Sequence, residues 1–190
     1  DPRLREQSER INELHAPYPS ITILSGTEMD ILPNGELDFS EEFLKEMDFV
    51  IASIHSSFNQ SEEQIMNRLK RALECPYVDM IAHPTGRLIG RRPGYKINYD
   101  KFIESAVETD TIIELNANPN RLDLEWEWLR VAQEKGAKIA INTDAHSYTM
   151  LEDMPIGIQA ARKGWILKET VVNTWSKEQL LRFLKMKKGD

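Results

Sequence analysis

Val78-Asp79-Met80-Ile81-Ala82-His83-Pro84-Thr85-Gly86-Arg87 is the stretch that decides the fold. Its apolar run, Val78–Ala82, predicts a short buried strand, and that strand gives way to a histidine followed by proline and glycine, which interrupt regular structure. The same arrangement recurs along the chain. Glu28 follows the candidate strand Ile21–Leu24, His55 follows Phe49–Ile54, Glu114 falls at the end of Thr111–Leu115, and Asp144 with His146 follow Lys138–Ile141. Val171–Asn173 is a further candidate strand. Longer segments with apolar residues at three- and four-residue spacing lie between them and predict helices: Ser40–Met47, Ser61–Leu73, Tyr99–Glu108, Leu124–Lys135, Met150–Lys163 and Lys177–Met186. Ser40, Ser61 and Asn98 stand at N-cap positions, and Ser61 with Gln64 fits a capping box.

Strands alternating with helices imply βα units around a parallel sheet, which leaves a doubly wound open sheet or a barrel. The position of the ionisable residues favours the barrel. In a closed barrel every strand ends on one face, so Glu28, His55, His83, Glu114, Asp144 and His146 converge around one mouth, whereas an open sheet scatters several of them along an edge.

Composition narrows the function. The 190 residues are 41% apolar, enough for the core of one domain spanning 1–190. A formal charge of -7 excludes a broad phosphate-gripping surface for nucleic acid. One cysteine, Cys75, excludes an intrachain disulfide and a multi-cysteine zinc site, and fits a reducing cytoplasm. No apolar run reaches the length of a membrane span. The chain opens without methionine in a polar, helix-favouring stretch, Arg3–Leu14, as a piece of a longer protein does.

A lone histidine at a strand end is ordinarily a hydrogen-bonded structural residue. Three of them joined by Glu28 and Asp144 point to a divalent metal instead, because imidazole and carboxylate together suit zinc, manganese or iron. The fourth histidine, His15, is read as an exposed loop residue. Ser56 and Ser57 lack a nucleophile elbow, Cys75 reads as a buried thiol, and no glycine loop cradles a nucleotide. The segment from Gly86 to Lys96 is an island of positive charge in an acidic chain, and its Arg87 and Arg91 are candidates for holding a substrate phosphate.

The ordered set Gly26-Thr27-Glu28-Met29-Asp30, Ser53-Ile54-His55, Ala82-His83-Pro84, Glu114-Leu115-Asn116 and Thr143-Asp144-Ala145-His146 resembles the PHP (polymerase and histidinol phosphatase) family. Its detail is most similar to the C-terminal PHP domain of bacterial family X DNA polymerases. The resemblance implies an α/β fold, a distorted (β/α)7-type barrel that binds up to three metals at the strand ends. The family's opening His-x-His pair and a further histidine are not in this sequence, so the resemblance implies a barrel truncated at its N-terminus. Glu28 would then bridge two metals, His55 and His83 would complete one of them, Asp144 would serve its neighbour and His146 a third. Glu28, Asp144 and His146 are the implied catalytic groups. The implied activity is manganese- or zinc-dependent phosphoester hydrolysis, a 3′–5′ exonuclease or 3′-end processing step in DNA repair. DNA 3′ ends and polymerase domains of the same chain are the implied partners. With the remaining ligands lacking, this chain is expected to hold at most one metal, to be inactive by itself, and to self-associate through an exposed barrel edge. The alternatives are a phosphatase acting on a small monoester such as histidinol phosphate, and a non-catalytic structural module.

Overall fold

The computed structural model describes residues 2–14 and 16–189, so His15 lies outside the described residues. Five parallel strands form one sheet whose neighbours follow in chain order: β1 (Gly26–Asp30), β2 (Phe49–Ser53), β3 (Met80–Ile81), β4 (Ile112–Asn116) and β5 (Ile139–Asn142). The strand order never reverses, as it must in a doubly wound sheet, and the fold is therefore barrel-like. Seven α-helices are described: α1 (Pro2–Leu14), α2 (Glu41–Leu44), α3 (Glu62–Glu74), α4 (Tyr99–Glu108), α5 (Trp126–Glu134), α6 (Met154–Lys163) and α7 (Lys177–Lys188). No described helix is long and apolar enough to cross a membrane.

Local chemistry sets the helix starts. The Ser40, Asn98 and Ser176 side chains accept from backbone N–H groups of the first turns of α2, α4 and α7, and Ser61 and Gln64 close a reciprocal capping box on α3.

Alternation along the strands sorts side chains to the two faces of the sheet. Val50, Ala52, Ile81, Ile113, Leu115, Ile139 and Ile141 face the helices in the large core. On the inner face Met80, Ile112 and Ala140 form a second, smaller cluster with Val172, Phe49, Ile51, Trp175 and Phe183. Further along the same face, toward the strand ends, the residues turn polar: Glu28, Ser53, Glu114 and Asn142. An apolar floor and a polar upper tier put the ionisable groups of this face toward the strand ends.

Two expected strands differ. The first begins at Gly26 rather than Ile21, and Ile21 is 59% exposed. Gly26 pairs with Phe49, and a Cβ at Gly26 would collide with the Phe49 carbonyl, so close pairing of β1 with β2 starts where a side chain is absent. The expected strand Val171–Asn173 is instead a pair of 3-10 turns with one parallel bridge, Ile139 to Val171. The Asn173 side chain takes the place of a strand backbone there, accepting from the Ile141 N–H at 2.8 Å and donating to the Ile141 carbonyl at 3.0 Å.

At the opposite end of the sheet, α7 is fastened by two lysines. Lys187 Nζ donates to the Thr109 carbonyl at 2.5 Å and Thr111 Oγ1 at 2.9 Å. Lys188 Nζ reaches the carbonyls of Met47 and Asp48 at 3.0 and 3.1 Å and the fully buried Asp79 carboxylate at 3.3 Å.

Gly157 is where α6 presses onto the sheet. A Cβ there would lie 2.6 Å from both Ala117 Cβ and Ile141 Cγ2. Alanine recovers about 1 kcal/mol of helix propensity, yet overpacking costs about 1–3 kcal/mol. Gly157→Ala is expected to lose about 1 kcal/mol net in urea denaturation; a gain in stability would mean that α6 can lift off without cost.

Candidate metal centre

Three adjacent strands supply the cluster. Glu28 sits on the inner face of β1, and Ser53 at the end of β2 donates to its Oε1 at 2.8 Å. His83, in the turn after β3, places Nε2 at 3.1 Å from the same oxygen, and His55 after β2 places its Nε2 at 3.3 Å. The two imidazoles stand 5.3 Å apart, tilted by 57°. One donor atom from each of Glu28, His55 and His83 lies within 4.8 Å of the others.

Each histidine is held from behind. The His83 backbone bends to φ +30°, and its N–H donates to Glu114 Oε2 at 2.6 Å. His83 is buried, with its second ring nitrogen, Nδ1, unpartnered. His55 is half exposed, and its N–H donates to Asp30 Oδ1 at 3.1 Å. Arg68, fully buried on α3, ties the two loops together by donating to the carbonyls of Ile31 and Ser56 and to Gln60.

Electrostatics already favour a positive charge beside Glu28. Hydrogen bonds from His55 and then His83 hold its carboxyl well below the usual carboxylate range, against the effect of burial. The same hydrogen bond raises the His55 pKa. A cation would take over the role that the His55 proton fills. Two imidazoles and a carboxylate are also a donor set that catalytic zinc-type sites use, with room left for water. The residues therefore fit a divalent metal.

A second polar chain completes the mouth. Glu114 is buried and its pKa is pushed up to about 7 by that burial. It accepts from Asn142 Nδ2 at 3.1 Å and Asn116 Nδ2 at 3.2 Å, and the latter amide also reaches Asp144 Oδ2 at 3.2 Å. Arg121 Nε lies 3.4 Å from that same Asp144 oxygen. His146 is exposed at the rim, its Nδ1 2.8 Å from the Asp144 carbonyl oxygen. Glu28, Glu114, Asp144 and His146 all line one cavity of about 560 Å³.

The structure thus brings Glu28, His55 and His83 into donor range and places Asp144 and His146 in the adjoining wall, outside that range. The basic loop is arranged differently from expectation. Arg87 turns its guanidinium to the carbonyls of Arg121 and Leu122 and to Glu125, and it lines a separate cavity with Trp126 and Lys163. With its donors so occupied, it does not fit the role of gripping a phosphate at the metal mouth. Arg91 is exposed. The basic residue that touches the wall of the mouth, through Asp144, is Arg121, which the sequence did not single out, nor did it single out Asp30, Asn116 and Asn142. The turn-rich run Asn116-Ala117-Asn118-Pro119-Asn120-Arg121, which opens on the last residue of β4, was the available signal.

No protein-family model matches the chain. It is 55% identical over 183 residues to the DNA polymerase/3′-5′ exonuclease PolX of Bacillus subtilis (strain 168), which covers 96% of this chain but only 32% of that protein. This chain therefore spans about a third of the length of that relative. It is 31% identical over 178 residues to a probable phosphatase of Thermoanaerobacter sp. (strain X514), covering 88% of this chain and 70% of that protein. A probable phosphatase of Acetivibrio thermocellus is likewise 31% identical, over 192 residues, with the same coverage of 88% and 70%. With that identity extending over more than two thirds of the relatives' length, and with a two-histidine, one-carboxylate cluster at its strand ends, the chain belongs to the family of these bacterial probable phosphatases.

Proposed function

We propose that the chain is a PHP-type, metal-dependent phosphoesterase domain, 1–190, which in a longer polymerase of the PolX kind removes nucleotides or phosphate from DNA 3′ ends. The observation that carries the reading is the Glu28, His55 and His83 donor set, within 4.8 Å on the inner face of a parallel sheet. The likeness to an exonuclease-bearing polymerase supports the choice of DNA, and the probable phosphatases support phosphoester chemistry. A divalent cation such as Mn²⁺ or Zn²⁺ held there would withdraw charge from a phosphoryl group and make a nearby water a better nucleophile.

The chain's own residues do the rest. Glu28 draws both imidazoles to one point, and Ser53 fixes the carboxylate that does so. Glu114 holds the His83 backbone, and so the direction of its ring. Asp144 and His146 face the cavity from the other wall, where the Asp144 carboxylate can receive a proton from an attacking water and His146 can return one to the leaving oxygen. Asp144 and His146 stand outside the donor cluster, so this chain by itself is proposed to hold one ion. A paired-metal clamp needs a second ion about 3.5–4 Å away, and turnover by the isolated chain should be low. We assign it to the cytoplasm. Self-association through β1 belongs to the same proposal, since that strand pairs on one side only among the described residues.

Elemental analysis after dialysis against Mn²⁺ or Zn²⁺ tests the site, with about one ion per chain expected. Two or more tightly held ions would contradict the single donor set. The similarity to probable phosphatases favours a second reading, hydrolysis of a small phosphate monoester. Comparing a 3′-labelled oligodeoxynucleotide with p-nitrophenyl phosphate in the presence of Mn²⁺ separates the two: selective cleavage of the oligonucleotide supports the polymerase-linked role, and turnover of the monoester alone supports the phosphatase.

A further inference from the structure

We propose that Arg121 is the cation that grips the non-bridging oxygens of the substrate phosphate, and that Arg87 is the positioning residue that aims it. The inference rests on reading the mouth as a phosphoesterase site.

Arg121 stands against the wall of the mouth at Asp144, where its Nε lies 3.4 Å from Asp144 Oδ2, and both side chains are largely buried, at 18% and 14% exposure. That contact leaves the fork unsatisfied: Nη1 is buried and has no partner. A guanidinium carries five donors in one plane, arranged to meet the oxygens of a carboxylate or phosphate two at a time. A buried donor without a partner is costly to a fold. A turn of the guanidinium from Asp144 toward an oxyanion in the mouth would satisfy it. If Arg121 served only to neutralise Asp144, its fork would be expected to pair with both carboxylate oxygens, and the single long Nε contact falls short of that.

The loop that carries Arg121 is stitched on both sides. Asn118 and Asn120 N–H groups donate to the Asn116 and Asn118 side-chain oxygens at 3.0 and 2.9 Å, forming consecutive Asx turns. The buried Asp123 carboxylate accepts from the Thr85 N–H at 3.0 Å and its hydroxyl at 2.8 Å, which binds this loop to the turn after His83. Arg87, two residues beyond Thr85, then donates Nε to the Arg121 carbonyl at 2.7 Å and Nη2 to that of Leu122. The turn that aims His83 therefore also fixes the backbone from which Arg121 extends. The basic island serves the phosphate through a second arginine.

The experiment measures binding of inorganic phosphate to the Mn²⁺-loaded chain by calorimetry, with Mn²⁺ affinity titrated separately. Arg121→Met should weaken phosphate by about 10–100-fold, the loss of one or two charge-assisted hydrogen bonds, with Mn²⁺ affinity within about threefold of wild type. Arg121→Lys keeps the charge without the fork and should fall between the two, which preserves the test if the methionine variant folds poorly. Arg87→Lys should weaken phosphate several-fold and leave Mn²⁺ affinity unchanged. Unaltered phosphate binding by both Arg121 variants would overturn the assignment alone. Loss of Mn²⁺ together with phosphate would also overturn it, by reducing Arg121 to a support for the metal site. A wild-type chain that takes Mn²⁺ yet binds no phosphate would overturn both the assignment and the phosphoesterase reading.

Discussion

Glu28→Gln is expected to lower Mn²⁺ affinity by at least about 100-fold in a calorimetric titration, since the loss of a mere supporting partner of a metal ligand already costs about 10–100-fold. The amide keeps the shape and the Ser53 hydrogen bond but removes the charge on which both imidazoles converge. His83→Ala should be equally severe. Retained affinity in either variant would move the metal elsewhere. The pH dependence has a definite sign. The lowered Glu28 pKa stabilises the metal-free fold above the unfolded carboxyl value of about 4.3, and this contribution fades as pH falls through the folded value. The raised His55 pKa stabilises the fold below about 6.5 and is lost as pH rises through its folded value. The pair is thus most stabilising between roughly pH 4.3 and 6.5. Metal binding needs the neutral ring, so affinity should climb with pH until His55 has released its proton. In Glu28→Gln the plateau in thermal stability across that window should flatten.

Lys188→Met should destabilise the chain by about 3 kcal/mol, because removing one member of a buried ion pair strands the other. Asp79 is fully buried, its Oδ1 has no partner, and burial already raises its pKa against the pull of Lys188. The Val50 N–H remains as a donor at 2.8 Å and limits the damage. An acid whose folded pKa is raised loses stability for the fold as pH rises through that value. Urea midpoints should therefore fall further behind wild type at pH 8 than at pH 5. Lys188→Met combined with Asp79→Asn should recover part of the loss. A single variant as stable as wild type would mean that water reaches Asp79.

The strand ends were the legible part of this molecule. Apolar runs stopping at His55, His83 and Asp144 carry most of the sheet and the mouth, because a parallel sheet walked in one direction delivers every strand end to one side, whereas Glu28 lies within a strand, Gly26–Asp30, that has no apolar run of its own. What local sequence does not encode is which polar atom finds which partner across the chain. Val171–Asn173 has the β-branched content of a strand, yet the Asn173 amide completes the sheet edge with its side chain. Arg87 stands two residues beyond Thr85 in the loop after His83 and looked like the phosphate ligand. Only the folded path of residues 116–125 shows its donors turned to the Arg121 and Leu122 carbonyls and to Glu125. The reach of Asp30 and Asn116 to the site is equally hard to read, since it runs through hydrogen bonds to residues 25 and 28 positions away.

The lysine fastening of α7 also bears on the order of assembly. Lys188 meets Met47 and Asp48 across separations of 141 and 140 residues, and Lys187 meets Thr109 across 78. Contacts that distant in sequence form late, after shorter loops have closed. Until they do, the central strands enclose a carboxylate at Asp79 with no cation to answer it, and protonation is its cheapest relief. Refolding after a pH jump should therefore show a late phase that quickens in mild acid, with α7 as the latch that closes last at neutral pH.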